Sequence, residues 1–288
     1  MLYKKSKAAF CENHFKNPDL EYAGAPFWAW NCKMTTQRID DILGVIKKMG
    51  MSGAYIHSRT GLDLKYLENE FMEMVRYAYQ KAKEMGITIY LYDEDRWPSG
   101  FAGGIVTKEE KYRSRFLTFS PEKLSLNENE NIEQKTFDAS AKSISSGKRT
   151  FLGKYEVILE NGFLKSYRFF EYDDDINEEI KGHIWYAYLE ISGESPWFNN
   201  QTYVNTLDYS AVKKFIDTTY EAYYQEFKNE FGNEIPMIFT DEPQFSFKTV
   251  LGFSRFKTLR NKISLSRSRL RAIYKCVCRP NREMVQRT

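Results

Sequence analysis

Apolar residues recur with a helical period in three stretches of the chain. Residues three and four positions apart share one face of a helix, so this spacing predicts amphipathic helices. The predicted helices run from a Thr35 or Thr36 cap to Gly50, from Leu67 to Met85 with Gly86 as the stop, and from an Asp208 cap to Gly232. Their apolar stripes are Ile39, Ile42, Leu43, Ile46 and Met49; Phe71, Val75, Ala78, Ala82 and Met85; and Val212, Phe215, Ile216, Tyr220, Tyr223, Phe227 and Phe231.

Short apolar runs with strand character alternate with these helices. The run 26–31 (PFWAWN) precedes the first helix, Gly53–His57 follows it, Ile87–Tyr92 follows the second helix, and Pro236–Thr240 follows the third. Strands that alternate with helices pair in parallel through right-handed crossovers. The pattern therefore predicts an α/β fold with a parallel sheet.

The helical period disappears between Arg115 and Trp197, where short β-rich runs take over. Asn161-Gly162 separates two of these runs, and an Asn-Gly pair in this setting is a strong hairpin signal. The segment Ser120–Lys148 is polar, which predicts an exposed and partly disordered loop. We predict an antiparallel β insert after the third strand, with strands at Phe116–Phe119, Tyr155–Leu159, Phe163–Glu171 and His183–Ile191.

Length and charge narrow the possible partners. With 288 residues, 42% of them hydrophobic, the chain can bury the core of one large domain or of one domain with an insert. The net charge of +3 sums two unlike parts. Residues 255–288 hold eleven Lys and Arg against one acid, whereas residues 1–254 hold 31 against 38 acids. A mildly acidic body argues against nucleic acid as its partner.

The cysteines and the amino-terminal segment indicate a protein of the cytoplasm. Cys11, Cys32, Cys276 and Cys278 have neither metal-ligand nor disulfide-framework spacing. The amino-terminal segment is basic but has no apolar core of a signal peptide, and no run reaches the roughly 18 apolar residues of a membrane span. We therefore expect a cytoplasmic protein with no membrane contact.

Charged and aromatic residues follow two of the predicted strands directly. The segment 93–97 (DEDRW) follows Tyr92, and Asp241 and Glu242 follow Thr240. The carboxyl ends of parallel strands meet at one edge of a sheet, where ligands bind. Acids, a guanidinium group and an indole suit a polyol ligand. The alternative is a solvated loop with an internal Asp–Arg pair.

Five motifs carry a resemblance to a known family: PFWAWN (26–31), IHSRTGL (56–62), YDEDRWPSGFAGG (92–104), VNTLD (204–208) and IFTDEP (238–243). Over roughly residues 15–260 the chain resembles the amino-terminal part of the catalytic region of the α-L-rhamnosidase-like enzymes of glycoside hydrolase family 106. This resemblance implies a (β/α)8 barrel, two acidic catalytic residues and an inverting attack on a terminal sugar. It also implies a possible calcium ion, without placing its ligands.

The chemistry of glycoside hydrolysis also favours Glu242. One carboxyl group must protonate the leaving oxygen, and a second must activate water or act as the nucleophile. Glu242, within the motif 238–243, is the position that resembles a catalytic carboxylate of the family. Whether it acts as an acid or as a base stays open. Pro243 is expected to keep Glu242 in an extended or turn conformation, away from the right-handed helical region. The alternative is a surface acid or an ion-pair partner.

The remaining motif residues are predicted to bind the substrate. Carboxylates and guanidinium groups bind diols, and aromatic rings stack on sugar faces. His57 could equally be a core histidine, and the acids at 93–95 could instead hold a metal ion. The predicted substrate-binding residues are Trp30, Asn31, His57, Arg59, Asp93, Glu94, Arg96, Trp97 and Asp241.

The sequence departs from the family pattern near Lys262. A complete barrel needs eight strands, and the pattern supplies four, so we predict a partial (β/α)8 TIM barrel. Its parts are predicted at 15–114 and 198–254, around the insert at 115–197. The basic segment 255–288 reads as a truncated gene end or as a tail for nucleic acid or anionic membranes.

These patterns leave three functions open. They are a truncated, weakly active or inactive glycosidase that lacks its second carboxylate, a non-catalytic carbohydrate-binding half-barrel, and a basic-tailed nucleic-acid binder that the acidic body disfavours. Self-association through the open edge of the fourth strand is also expected.

Overall fold

The computed structural model describes residues 9–127, 145–160, 163–170 and 179–244. Within them the chain forms two compact units, one from residues up to 112 and from 206 onward, the other from 113–205. The domain boundaries predicted from the sequence stay predictions, and the basic segment 255–288 lies outside the described residues. No described helix is long and apolar enough to cross a membrane, and the cytoplasmic location stays a prediction.

The first unit contains a four-stranded parallel sheet. Its strands are β1 (Phe27–Trp30), β2 (Gly53–Ser58), β3 (Thr88–Tyr92) and β8 (Ile238–Phe239), paired in that order. Register pairs such as Phe27 with Tyr55 and Leu91 with Ile238 are all parallel. The carboxyl ends of all four strands therefore lie along one edge. The predicted fourth strand at 236–240 is shorter than expected.

Four α-helices accompany this sheet: α1 (Glu12–Lys16), α2 (Thr36–Lys48), α3 (Asn69–Met85) and α4 (Tyr209–Phe227). Thr35 and Asp208 cap α2 and α4 by accepting hydrogen bonds from backbone N–H groups, as the sequence predicts. Gly86 ends α3 in the left-handed conformation, also as predicted. Short 3-10 turns lie at Leu20–Tyr22, Ala102–Gly104, Val106–Lys108 and Glu110–Tyr112.

Three predicted helix details are wrong. The helix α3 begins at Asn69 rather than Leu67, because Leu67 has a φ of 61° that an α-helix cannot contain. The helix α4 ends at Phe227 and does not reach Gly232. The predicted stripes are also too wide, since Ile42, Met49 and Ile216 are exposed.

The two faces of the parallel sheet carry different side chains. Alternation along the strands turns Trp28, Trp30, Ile56 and Leu91 to one face, where they are buried. The opposite face carries rings, among them Phe27, Tyr55, His57, Tyr92 and Phe239.

This ring-bearing face is concave. The outer strands of a flat four-stranded sheet lie about 14 Å apart, three spacings of about 4.8 Å. The rings of Phe27 on β1 and Phe239 on β8 nevertheless approach to 5.0 Å between centroids. The strands therefore curve around the aromatic face. Curvature of this kind is compatible with the predicted partial barrel, which stays a prediction.

The second unit is built on an antiparallel sheet, as predicted. Its strands β4 (Arg115–Ser120), β7 (His183–Ser192), β5 (Ser145–Glu160) and β6 (Phe163–Phe170) pair in that order. Val157 and Trp185 form a buried cluster on one face, and partly buried rings such as Phe119 and Tyr155 pack against it. A 3-10 turn at Pro196–Phe198 follows β7.

Two predictions within this unit are only partly testable. The strand β5 begins at Ser145, so the predicted loop 120–148 is too long at its end, and residues 128–144 lie outside the described part. The predicted Asn161-Gly162 turn also lies outside it, but the flanking residues Glu160 and Phe163 pair as a hairpin requires.

A glycine pair tests the close packing of β2 against β3. A Cβ on Gly53 would lie 1.8 Å from the Thr88 carbonyl oxygen, whereas a Cβ on Gly44 in α2 would meet nothing within 4 Å. We expect Gly53→Ala to lower the free energy of unfolding by about 3 kcal/mol or more, because backbone must move. Gly44→Ala should raise it by up to about 1 kcal/mol through helix propensity. Denaturant unfolding measures both, and equal effects would contradict the β2–β3 register.

Candidate functional site

Polar residues from β2, β3 and β8 meet at the carboxyl edge of the parallel sheet. This candidate site comprises Ser58 at the end of β2, residues 92–103 at and after β3, and residues 240–242 after β8. The β3–β8 pairing continues directly into it, because the Asp93 N–H donates to the Phe239 carbonyl. The sequence therefore predicted correctly that the two acidic segments would be neighbours.

Asp93 lies at the centre of a buried hydrogen-bond network. Its side chain is 0% exposed and turns to the helix-facing side of the sheet. The Tyr220 and Thr240 hydroxyls donate to Oδ2 at 2.8 and 2.7 Å, and the Ser99 hydroxyl donates to Oδ1. Burial raises the pKa of Asp93, and these hydroxyl groups oppose the rise. Asp93 is thus engaged with protein groups rather than presented at the surface.

Glu94 is enclosed by the backbone of its own loop. The amides of Gly100, Phe101 and Ala102 donate to Oε2 at 2.8–3.0 Å, and those of Asp95 and Gly103 donate to Oε1. Converging backbone amides of this kind form an anion-binding nest. Burial raises the pKa of Glu94 to about 8, and the amides of Gly103, Asp95 and Ala102 oppose that rise. These contacts give Glu94 a structural role, and its predicted contact with a sugar stays a prediction.

The loop around Glu94 depends on left-handed backbone at Gly103, where φ is 62°. A Cβ there would also lie 3.1 Å from Cβ of Asp95. Asp95 itself accepts a hydrogen bond from the Ser58 hydroxyl at 2.9 Å and pairs with Arg96 at 3.3 Å. The Asp95–Arg96 pair is the internal ion pair that the alternative interpretation expected.

The acids at 93–95 do not fit a metal ion. Hard cations need several oxygen atoms that converge on one point. Here the oxygens of Asp93, Glu94 and Asp95 accept hydrogen bonds from three different sets of donors. Within the described ranges, no group of three or more His, Cys, Asp or Glu is arranged to hold a metal. We derive no step through calcium, which stays a prediction from the family resemblance.

Glu242 is exposed at the end of this edge. The Trp97 indole Nε1–H donates to its Oε2 at 3.1 Å. Its φ is 42°, in the left-handed region, so Glu242 is not extended but, as expected from Pro243, it lies outside the right-handed helical region. This backbone is uncommon for a residue with a side chain and must be held by its surroundings.

Asp241 precedes Glu242 and is fixed by two residues of the 92–99 segment. The Tyr92 hydroxyl donates to Oδ2 of Asp241 at 2.7 Å. The Ser99 hydroxyl accepts from the Asp241 N–H at 2.8 Å, and the Ser99 N–H donates to the Asp241 carbonyl at 2.9 Å. Burial raises the pKa of Tyr92, and the bond to Asp241 adds to the rise.

The remaining predicted residues fall into two groups. Asn31 and Arg59 are exposed at the same sheet edge, and Arg96 and Trp97 are half-buried there. Trp30 is 0% exposed and packs on Trp28 and Phe71 on the helix-facing side. Its ring is therefore unable to stack on a ligand without rearrangement.

His57 lies among aromatic rings on the concave face. It is 8% exposed, its ring centroid lies 4.0 Å from that of Tyr92, and within the described chain its Nε2 has no hydrogen-bond partner. Burial lowers the pKa of His57 to about 4, and the nearby Arg59 adds to this effect. The imidazole is therefore neutral at pH 7, as expected of a core histidine.

Sequence reasoning missed Tyr92, Ser99, Tyr220 and Thr240. Tyr92 and Thr240 looked like the last residues of apolar strands, and Tyr220 belonged to the helical stripe. Ser99 lies in the most specific motif, directly after the acids, and that position was the available signal.

Comparisons with known proteins give a distant structural similarity. No family model matches the chain, and no curated relative matches it. The solved structure of a rhamnosidase from Novosphingobium sp. PP1Y is similar, with 18% sequence identity and a TM-score of 0.33. The similarity covers 51% of this chain, which spans 15% of that rhamnosidase chain. Membership of glycoside hydrolase family 106 stays a prediction from the motifs.

The amide nest around Glu94 predicts a strong effect of Glu94→Gln. A glutamine must point its NH2 group at two or three backbone N–H donors, and each buried unsatisfied group costs about 1–3 kcal/mol. Above about pH 8, where Glu94 is ionised, we expect the free energy of unfolding to fall by about 2–5 kcal/mol. Glu70→Gln on the exposed side of α3 is the matched control and should be neutral. Similar urea midpoints for the two variants would exclude the nest.

The buried neutral His57 predicts a specific pH dependence. In the unfolded chain His57 binds a proton below its ordinary pKa of 6.5. In the folded chain it binds that proton only below about pH 4. The free energy of unfolding should therefore fall as the pH falls through this window, by about 1–3 kcal/mol. His57→Leu should remove this part of the decline, and His183→Leu, at an exposed position, should keep it. Parallel stability–pH curves for wild type and His57→Leu would contradict the assignment.

Proposed function

We propose that this protein acts on a terminal sugar as a glycoside hydrolase of the α-L-rhamnosidase-related kind, with Glu242 as an acid/base carboxylate. The observation that carries the proposal is the contrast between Glu242 and the three acids at 93–95. Asp93 and Glu94 are buried and bonded to protein donors, and Asp95 pairs with Arg96. Glu242 is exposed at the carboxyl edge, with its Oε2 held by an indole N–H.

The surroundings of Glu242 suit a sugar substrate. Asn31, Arg59 and Arg96 supply hydrogen-bond donors along the same edge, and hydroxyl groups of a sugar accept from such donors. Among the described residues, the Trp97 N–H is the donor to Glu242, at Oε2, which leaves Oε1 to face a glycosidic oxygen or a water molecule. Proton transfer by a positioned side chain accelerates a reaction about 10²–10⁴-fold.

A second function is carbohydrate binding without hydrolysis. It is favoured because the other acids at the edge are already engaged in bonds within the protein. Hydrolysis needs two carboxyl groups, about 5–5.5 Å apart for retention or about 6.5–9.5 Å for inversion. Among the described residues at the edge, the acid nearest to Glu242 in sequence is Asp241. The Tyr92 hydroxyl already donates to its Oδ2. A protein with one available carboxylate would bind the sugar and leave it intact.

Activity on an aryl α-L-rhamnoside tests the proposal. The full chain should release the aryl alcohol, and Glu242→Gln should lower kcat by about 10²–10⁴-fold because the carboxyl group that transfers the proton is lost. Glu70→Gln, at an exposed position on α3, should leave kcat unchanged.

Calorimetric titration with L-rhamnose separates the two functions. Binding without turnover would favour the second function and exclude the first for this substrate. Turnover that is unchanged in Glu242→Gln would exclude Glu242 as the acid/base residue. The anomer released first, followed by NMR, then distinguishes inversion from retention.

A further inference from the structure

We propose that Ser99 is a positioning residue that fixes the backbone and carboxylate of Glu242. The inference rests on the role proposed for Glu242, and it extends that role to a residue that need not touch the sugar. Ser99 is 0% exposed and lies in the loop after β3, whereas Glu242 follows β8.

Ser99 holds the residue before Glu242 from two sides. Its hydroxyl accepts from the Asp241 N–H, and its own N–H donates to the Asp241 carbonyl, at 2.8 and 2.9 Å. The carbonyl of Asp241 belongs to the peptide unit that joins it to Glu242. Rotation at this peptide unit would move the Glu242 side chain, so the two bonds restrict that rotation.

A hydroxyl group is the chemical feature that this position needs. The Ser99 hydroxyl donates to the buried Asp93 carboxylate while it accepts from the Asp241 N–H. One oxygen atom must therefore be donor and acceptor together, which Ser and Thr allow and Ala does not. Asp93 is itself held by Tyr220 and Thr240, so Ser99 ties Asp241 to a side chain that is fixed in place.

The same loop also holds the head group of Glu242. Trp97, two residues before Ser99, donates its indole N–H to Oε2. The left-handed backbone of Glu242, at a φ of 42°, is an unfavourable conformation for a residue with a side chain. Bonds to the preceding peptide and to the carboxylate together offset that cost. Ser99 and Trp97 thus fix Glu242 at both ends.

The indole N–H resonance of Trp97 gives a readout that does not need activity. In the ¹⁵N-labelled full chain, Trp97→Phe assigns this signal among those of the five tryptophans. Glu242→Gln should move the signal because the acceptor changes from a carboxylate to an amide. Ser99→Ala should move it in the same direction, and Ser99→Thr should leave it near the wild-type position.

The kinetic expectation separates positioning from general destabilisation. If the chain hydrolyses the aryl rhamnoside, Ser99→Ala should lower kcat by about 10- to 100-fold with less than about a threefold change in KM, because misplaced catalytic groups cost rate. Ser52→Ala is the matched control. Ser52 is also buried in this unit and bonds two backbone carbonyls, but at the opposite end of β2. It should leave both the Trp97 signal and kcat unchanged.

Each outcome supports or overturns the inference. An unmoved Trp97 signal in Ser99→Ala overturns it, with or without hydrolysis. A moved signal with unchanged kcat in an active chain overturns the positioning role as well. If the chain shows no hydrolysis, the proposed function fails, while the moved signal still supports the hold of Ser99 on Glu242. If Ser99→Ala does not fold, Ser99→Cys, a weaker donor and acceptor, takes its place with a smaller shift expected.

Discussion

The buried carboxyl group of Glu94 is the constraint on which the candidate site depends. A carboxyl group cannot be buried at low cost without hydrogen-bond partners. The chain supplies five amides of the following loop, which must fold back around the side chain to reach it. That fold places Trp97 and Ser99 beside the end of β8. The hold on Asp241 and Glu242 is therefore a consequence of how the hydrogen-bonding needs of one buried carboxyl group are met.

The curved sheet brings the two halves of this arrangement together. The strands β3 and β8 are adjacent and parallel, so the residues that follow them leave the same edge side by side. The rings of Phe27 and Phe239 contact each other across the concave face, so the edge is curved. Residues far apart in sequence, such as Tyr92 and Asp241, can then bond directly. The local sequence determines the conformation of each segment, and strand pairing determines which segments lie side by side.

Much of the fold could be predicted from the sequence, because helix caps and apolar periods act locally. Thr35, Gly86 and Asp208 mark helix ends through bonds within a few residues of themselves. The exposure of Ile42 and the early end of α4 depend instead on what packs against each helix. The spacing of apolar residues within a helix does not show what packs against it.

The candidate site was harder to predict because residue type does not give side-chain direction. Alternation on β1 turns Trp30 to the same face as Trp28, which buries its ring although its backbone lies at the edge. Asp93 continues the alternation of Leu91 and enters the helix side, where Tyr220 bonds it. The adjacent acids at 93–95 look equivalent in sequence, yet their donors differ. Asp93 accepts from hydroxyl groups, Glu94 from backbone amides, and Asp95 from a guanidinium group and the Ser58 hydroxyl.

The difference between Glu242 and the other acids follows from desolvation. A buried carboxylate needs several donors, and donors that satisfy it also occupy the lone pairs that chemistry would use. Asp93 and Glu94 are in this state. Glu242 is exposed, and within the part of the chain that the structure describes an indole N–H orients its Oε2 while Oε1 stays available. An acid that is oriented but not saturated is the kind that can exchange a proton with a ligand.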